Sequence, residues 1–125
     1  MSRPDWDKYY LGIADAVSKR GECKRRQVGA VIVKNHTIVS TGYNGFPPKV
    51  SSCLDGHCPR AESNAKPGTG YGESGCGAIH AEANAIIRAG RDRCIDATIY
   101  VTDEPCVLCG PLIAAAGITT IIYKK

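Results

Sequence analysis

The chain has 125 residues, 43% apolar and 22% charged, with a formal net charge of +4. Those proportions fit one globular core and exclude disorder, and no internal repeat points to a solenoid. No apolar run approaches the roughly 20 residues that cross a bilayer, so a membrane-spanning chain is excluded as well. Residues 1–6 show no basic-then-apolar segment, so no secretory leader is expected and the expected compartment is the cytoplasm. In such a chain, seven cysteines point to metal binding or catalysis rather than to disulfides. The charge suits an anionic ligand but is too small to mark a nucleic-acid surface.

In chain order, Trp6, Tyr9, Tyr10, Ile13 and Val17 recur at three- and four-residue intervals, which predicts an amphipathic helix over 4–19. Pro4 fits its first turn and Gly21 follows its end. A β-branched run over 28–33 is separated by Asn35-His36 from a second over 37–41, which predicts an antiparallel hairpin. Residues 42–78 collect Pro47, Pro48, Pro59, Pro67, Gly68, Gly70 and Gly72, and no regular element is expected there. A stretch that long needs something to staple it. Next comes a helix over 80–89, with Ala83, Ile86 and Ile87 on its inner face and Gly90 as its stop. A strand over 97–101, a small-residue helix over 106–116 ended by Gly117 and a β-rich run over 118–123 make a βαβ unit with parallel strands. Residues 1–125 therefore read as a single α/β domain, a mixed sheet with helices on both faces.

The chemistry gathers at two helix starts. Cys106 and Cys109, three residues apart at the opening of one helix, can turn both sulfurs to one side, and His80 at the start of the other supplies an imidazole. Three protein ligands leave one tetrahedral position for water, the pattern of a catalytic rather than a structural zinc. Glu82 stands two residues from His80, near the ion without ligating it, and is placed to take a proton from water and hand it to a substrate nitrogen. A lone Cys-x-x-Cys is most often a redox or structural-zinc motif. His-x-Glu followed about 24 residues later by Pro-Cys-x-x-Cys, with a strand between, is far more specific and is the signature of zinc-dependent nucleobase deaminases.

Four stretches carry a resemblance: residues 23–33, Gly42-Tyr43-Asn44-Gly45, residues 80–86 beginning His80-Ala81-Glu82, and residues 102–109 with Pro105-Cys106 and Cys109. On these the chain resembles the cytidine/deoxycytidylate deaminase superfamily over residues 4–123, in its dCMP branch and short phage or bacterial type. The Gly-Tyr-Asn-Gly segment favours that branch, and His80 stands where free-cytidine deaminases usually place Cys. The resemblance implies a three-layer α/β/α sandwich with a mixed sheet of four or five strands. Many members continue with a further helix and fifth strand, whereas this chain stops at Lys125. It also implies hydrolysis of dCMP to dUMP and ammonia, which supplies dUMP for thymidylate synthesis. Glu82 would then protonate N3 of cytosine, the Ala81 backbone N–H would donate to the cytosine carbonyl, and Asn44 would bind the deoxyribose. Without the resemblance, Asn44 reads equally well as a turn residue of positive φ. Arg25, Arg26 and Arg60 are the candidates for the 5′-phosphate, with Tyr123 a weaker one. Family membership further implies a homohexamer, with dCTP and dTTP as effectors.

Five cysteines remain. Cys23, Cys53, Cys58 and Cys76 border or lie in the irregular stretch and are expected to form a second, structural zinc site, as in some relatives, with His57 as a substitute ligand. Against this, Cys23 and Cys76 can be small buried hydrophobes, and Cys94 reads as structural. Two rival functions are compatible with parts of this pattern. One is deamination of another cytosine compound, dCTP or both dCMP and dCTP, through the same ion. The other is a non-catalytic zinc module binding nucleic acid, which has no use for Glu82 and would call for more than eight aromatic residues.

Overall fold

A computed structural model of the chain describes residues 3–22, 26–45 and 79–124. In order these form α1 (Trp6–Ser18), β1 (Gly29–Lys34), β2 (Thr37–Tyr43), α2 (Ala81–Ala89), α3 (Arg91–Cys94), β3 (Thr98–Val101), α4 (Cys109–Ala115) and β4 (Thr120–Tyr123). The described strands make one sheet in the order β2-β1-β3-β4.

Helix α1 starts two residues later than its periodicity predicts. Asp5 is its N-cap and accepts from the Lys8 N–H at 2.8 Å, so Pro4 lies outside the helix. Its buried stripe is Tyr10, Ala14 and Ser18, flanked by half-buried Ile13 and Val17. Trp6 and Tyr9 are not core residues, being 53% and 46% exposed; Trp6 instead stacks on His36 at 4.3 Å. The helix lies close on β1 because residue 29 is glycine. A Cβ there would strike the Ala14 carbonyl and the Ser18 N–H.

The hairpin is antiparallel as expected, and both turn residues take positive φ, 53° at Asn35 and 57° at His36. That is the turn whose twist matches the flanking strands. Alternation along the strands then divides the core. Val31, Val33 and Tyr100 face α1, while Ala30, Ile32, Ile99 and Val101 face α2 and α4. Strands β3 and β4 run parallel with α4 between them, and β3 is antiparallel to β1, so the sheet is mixed and has helices on both faces.

On the second face α2 buries Ala81, Glu82, Ala85 and Ala89. Ile87, expected inside, is 69% exposed. The stripe of small residues wins because α2 rests directly on β2 at Gly42, where a Cβ would meet the Ala81 carbonyl and the Ala85 N–H. Ser40 reinforces the contact, its Oγ donating to the Ala85 carbonyl at 2.7 Å. Helix α4 is also shorter than expected. Cys106 precedes it in a turn, its carbonyl accepting from the N–H groups of Cys109 and Gly110 at 3.0 and 3.2 Å. Gly117 closes the segment with φ 97°.

Candidate active site

His80 occupies the N-cap position of α2 in extended conformation, φ −64° and ψ 153°, and its side chain makes no capping bond. The ring is thereby left to other work. Two anchors fix it. Ile79 and Gly45 exchange backbone hydrogen bonds of 2.7 and 3.0 Å, and Asn84 Nδ2 donates to the Tyr43 carbonyl at 2.9 Å, tying the first turn of α2 to the end of β2. Across from it, Cys109 opens α4 and Cys106 sits one turn earlier.

These elements bring His80 Nδ1 to 3.1 Å from Cys109 Sγ and 3.5 Å from Cys106 Sγ. All three donor atoms lie within 4.8 Å of one another. Bonds of about 2.3 Å to sulfur and 2.0 Å to nitrogen in a tetrahedron demand donor separations of about 3.5 Å, so the set fits a zinc ion. The donor chemistry, two sulfurs and one imidazole, agrees. Glu82 is 4% exposed and is not a member of that donor group.

The electrostatics follow from burial. Desolvation pushes the Glu82 carboxyl above its usual range, while its own backbone N–H, the neighbouring Cys109 side chain and the Arg26 charge pull it part of the way back. Burial, with Glu82 and Cys106 nearby, pushes the Cys109 thiol well up. A divalent cation between the sulfurs reverses that preference, because a coordinating thiol is deprotonated outright.

Other expected site residues fall as follows. The Ala81 N–H belongs to the first turn of α2, where a helix offers donors without an internal partner. Asn44 is buried and tied to backbone: its Oδ1 accepts from the Val28 N–H at 2.9 Å and its Nδ2 donates to the Arg26 carbonyl at 2.7 Å. It is not among the positive-φ residues. Arg26 Nε donates to Asp103 Oδ2 at 2.8 Å. Tyr123, half exposed, pairs in register with Val101 at the carboxyl end of the parallel strands. Cys94 is fully buried in the core. Arg25, Arg60, Cys23, Cys53, Cys58, Cys76 and His57 lie outside the described residues. Nothing in the sequence marks Asn84, Thr102 or Asp103 individually. Thr102 Oγ1 accepts from the Gly29 N–H at 3.1 Å, which pins the turn that leads to Cys106. Their only signal was their place inside the quoted motifs.

A three-donor metal cluster beside a buried carboxyl, on an α/β/α sandwich, defines the class of metal-assisted hydrolases. The profile described as cytidine and deoxycytidylate deaminase zinc-binding region matches residues 4–125, and the chain belongs to that family. It is 51% identical to a deoxycytidylate deaminase of Mycobacterium phage D29, covering all of this chain and 98% of that protein. It is 37% identical to the deoxycytidylate deaminase of Saccharomyces cerevisiae, where it covers 39% of the longer protein. Among solved structures, the dCMP deaminase of cyanophage S-TIM5 in complex with dCMP and dUMP superposes with a TM-score of 0.73 at 27% identity. That match covers 98% of this chain and 83% of the other.

Proposed function

We propose that this chain deaminates dCMP, consuming water and releasing dUMP and ammonia, and so provides dUMP for thymidylate synthesis. The observation that carries the reading is the convergence of His80, Cys106 and Cys109 beside a Glu82 that is 4% exposed. The names of the phage, yeast and cyanophage relatives support the substrate.

In this reading His80 Nδ1, Cys106 Sγ and Cys109 Sγ hold one zinc ion. Bound zinc supplies the Lewis acidity that makes hydroxide available near neutral pH. Glu82 takes a proton from the attacking water, delivers it to N3 as C4 becomes tetrahedral, and then assists loss of the amine as ammonia. A carboxyl whose burial raises its proton affinity is suited to both halves of that transfer. The Ala81 N–H donates to the cytosine carbonyl, using one of the spare donors of the helix start. Asn44 spends one amide hydrogen and one acceptor site on backbone, and its remaining N–H serves the deoxyribose. Arg26 meets the 5′-phosphate, with Arg25, Arg60 and Tyr123 as the other candidates.

Cys23, Cys53, Cys58 and Cys76, with His57 in reserve, form a second zinc site in this reading, and zinc content of two per chain is its measure. The reading also includes cytoplasmic location, a homohexamer, and dCTP and dTTP as effectors. An exposed apolar surface at Val107 and Leu108, 83% and 63% accessible, supports assembly. No described helix is long and apolar enough to cross a membrane. The deciding experiment measures ammonia release from dCMP, dCTP, deoxycytidine and cytidine, each with and without added dCTP or dTTP. Highest kcat/KM on dCMP supports the reading; highest on dCTP replaces it with the triphosphate or dual-substrate alternative.

A further inference from the structure

Arg26 lies in the segment leading into β1, and it is held at both ends. Its carbonyl accepts from Asn44 Nδ2 at 2.7 Å, and its Nε donates to Asp103 Oδ2 at 2.8 Å. Asp103 follows Thr102, whose N–H donates to the Gly29 carbonyl at 3.0 Å while its hydroxyl accepts from the Gly29 N–H. Both partners of the ion pair therefore hang from one pinned junction of β1 and β3. The pair borders the site, since Asp103 lies three residues before the metal donor Cys106 and the Arg26 carbonyl is held by Asn44, next to the Tyr43 carbonyl that anchors the helix start bearing His80 and Glu82. Their side chains are 33% and 30% exposed, so solvent and solutes reach them. A pair that wet contributes little to stability, and a purely structural role explains it poorly. With Nε engaged, the terminal nitrogens have no acceptor among the described residues. A guanidinium held by Nε offers those nitrogens as a planar fork that matches two oxygens of a phosphate.

The geometry points to Asp103 as a positioning residue that aims the terminal nitrogens of Arg26 at the 5′-phosphate and so selects nucleotide over unphosphorylated nucleoside. This rests on the deaminase reading above and on Arg26 as its phosphate contact. The contribution is orientation rather than charge. A carboxylate near a phosphate dianion repels it, so charge alone would make removal of Asp103 tighten binding. A preset fork instead spares the nucleotide the cost of ordering a long side chain.

The test uses the zinc-loaded chain with Asp103→Ala, Asp103→Glu, Arg26→Ala and the Asp103→Ala/Arg26→Ala double variant. Each is assayed on dCMP and deoxycytidine, and calorimetry measures binding of dUMP and deoxyuridine. Asp103→Ala is expected to raise KM for dCMP and Kd for dUMP about tenfold with little change in kcat, the loss of one charge-assisted bond. Activity on deoxycytidine should not move, Asp103→Glu should restore most of the loss, and Asp103→Ala should add nothing once Arg26 is gone. Equal losses on dCMP and deoxycytidine would make Asp103 merely structural, and tighter or unchanged dUMP binding would also overturn the proposal. A wild-type chain that releases no ammonia from dCMP refutes the deaminase reading instead. In that case the contrast between dUMP and deoxyuridine binding still decides the role of Asp103.

Discussion

Cys109 Sγ lies 3.1 Å from His80 Nδ1 and is buried beside Glu82, and that burial together with the Glu82 charge raises the proton affinity of the thiol. Metal ligand and proton carrier are therefore coupled before an ion arrives. Zinc needs the thiolate, and burial together with Glu82 holds the thiol protonated well above neutral pH. Zinc uptake should consequently expel protons, and affinity should fall as pH falls because protons compete for the sulfur. Calorimetric titration of metal-free protein in buffers of different ionisation enthalpy reads the proton count directly. Affinity independent of pH between about 6 and 8 would contradict the coupling.

Glu82→Gln separates the chemistry from the fold. It keeps the shape and leaves the three metal donors untouched, so zinc content should equal that of the wild type. Turnover should fall by about 10²–10⁴, the usual contribution of a general acid–base group. Stability should move the other way. Burial raises the Glu82 pKa from its ordinary 4.5, so above that value the folded metal-free protein binds more protons than the unfolded chain and loses stability as pH rises. The glutamine variant escapes this penalty. Metal-free Glu82→Gln should melt higher than wild type at pH 7, and the gap should close as pH is lowered towards 4.5. Unimpaired deamination by this variant would remove Glu82 from the mechanism.

The site was more legible in the sequence than the packing around it. His80, Glu82, Cys106 and Cys109 announce themselves because metal and proton chemistry restrict residue type and spacing, and the structure brings the three donors together. The hairpin and the parallel pair were equally readable, since β-branched runs and the Asn35-His36 turn are local signals. Helix faces were not. Periodicity nominated Trp6, Tyr9 and Ile87 as inner residues, yet small Ala14, Ala81 and Ala85 take those places. The reason lies in other segments: Gly29 and Gly42 let the helices descend onto the strands until only small side chains fit. Asp103 was invisible for a similar reason, since its partner Arg26 stands 77 positions away.

Tyr100 offers a check on the opposite face of the sheet. Its hydroxyl donates to Asp7 Oδ1 at 2.9 Å, and burial together with this bond raises its pKa from 10.0 to about 12. A phenol whose folded pKa is raised contributes stability that is complete below pH 10 and is lost as pH climbs through about 12. Tyr100→Phe should cost about 1 kcal/mol at neutral pH, the net value of one hydrogen bond. It should also flatten the alkaline limb of the stability profile. Urea melts at pH 7 and pH 11 give both numbers, and a variant as alkali-sensitive as wild type would show that another group governs that limb.

Gly42 and Gly12 make a matched pair, because both positions gain the same methyl group on substitution by alanine and only one has room for it. At Gly42 the new Cβ would fall on the Ala81 carbonyl and the Ala85 N–H, backbone atoms that cannot rotate aside. Helix α2 must then lift from β2, at about 1–3 kcal/mol for overpacking. Because His80 and Glu82 ride on that helix start, a displacement of even about 1 Å should also cost roughly 10²-fold in turnover. At Gly12, in the exposed middle of α1, nothing lies within 4 Å of the added atom. Alanine there should stabilise by about 0.5–1 kcal/mol through helix propensity and leave kinetics unchanged. Denaturant melts and dCMP turnover of the two variants, compared side by side, test whether close approach of α2 to β2 sets the catalytic geometry. Full activity in a stably folded Gly42→Ala would show that it does not.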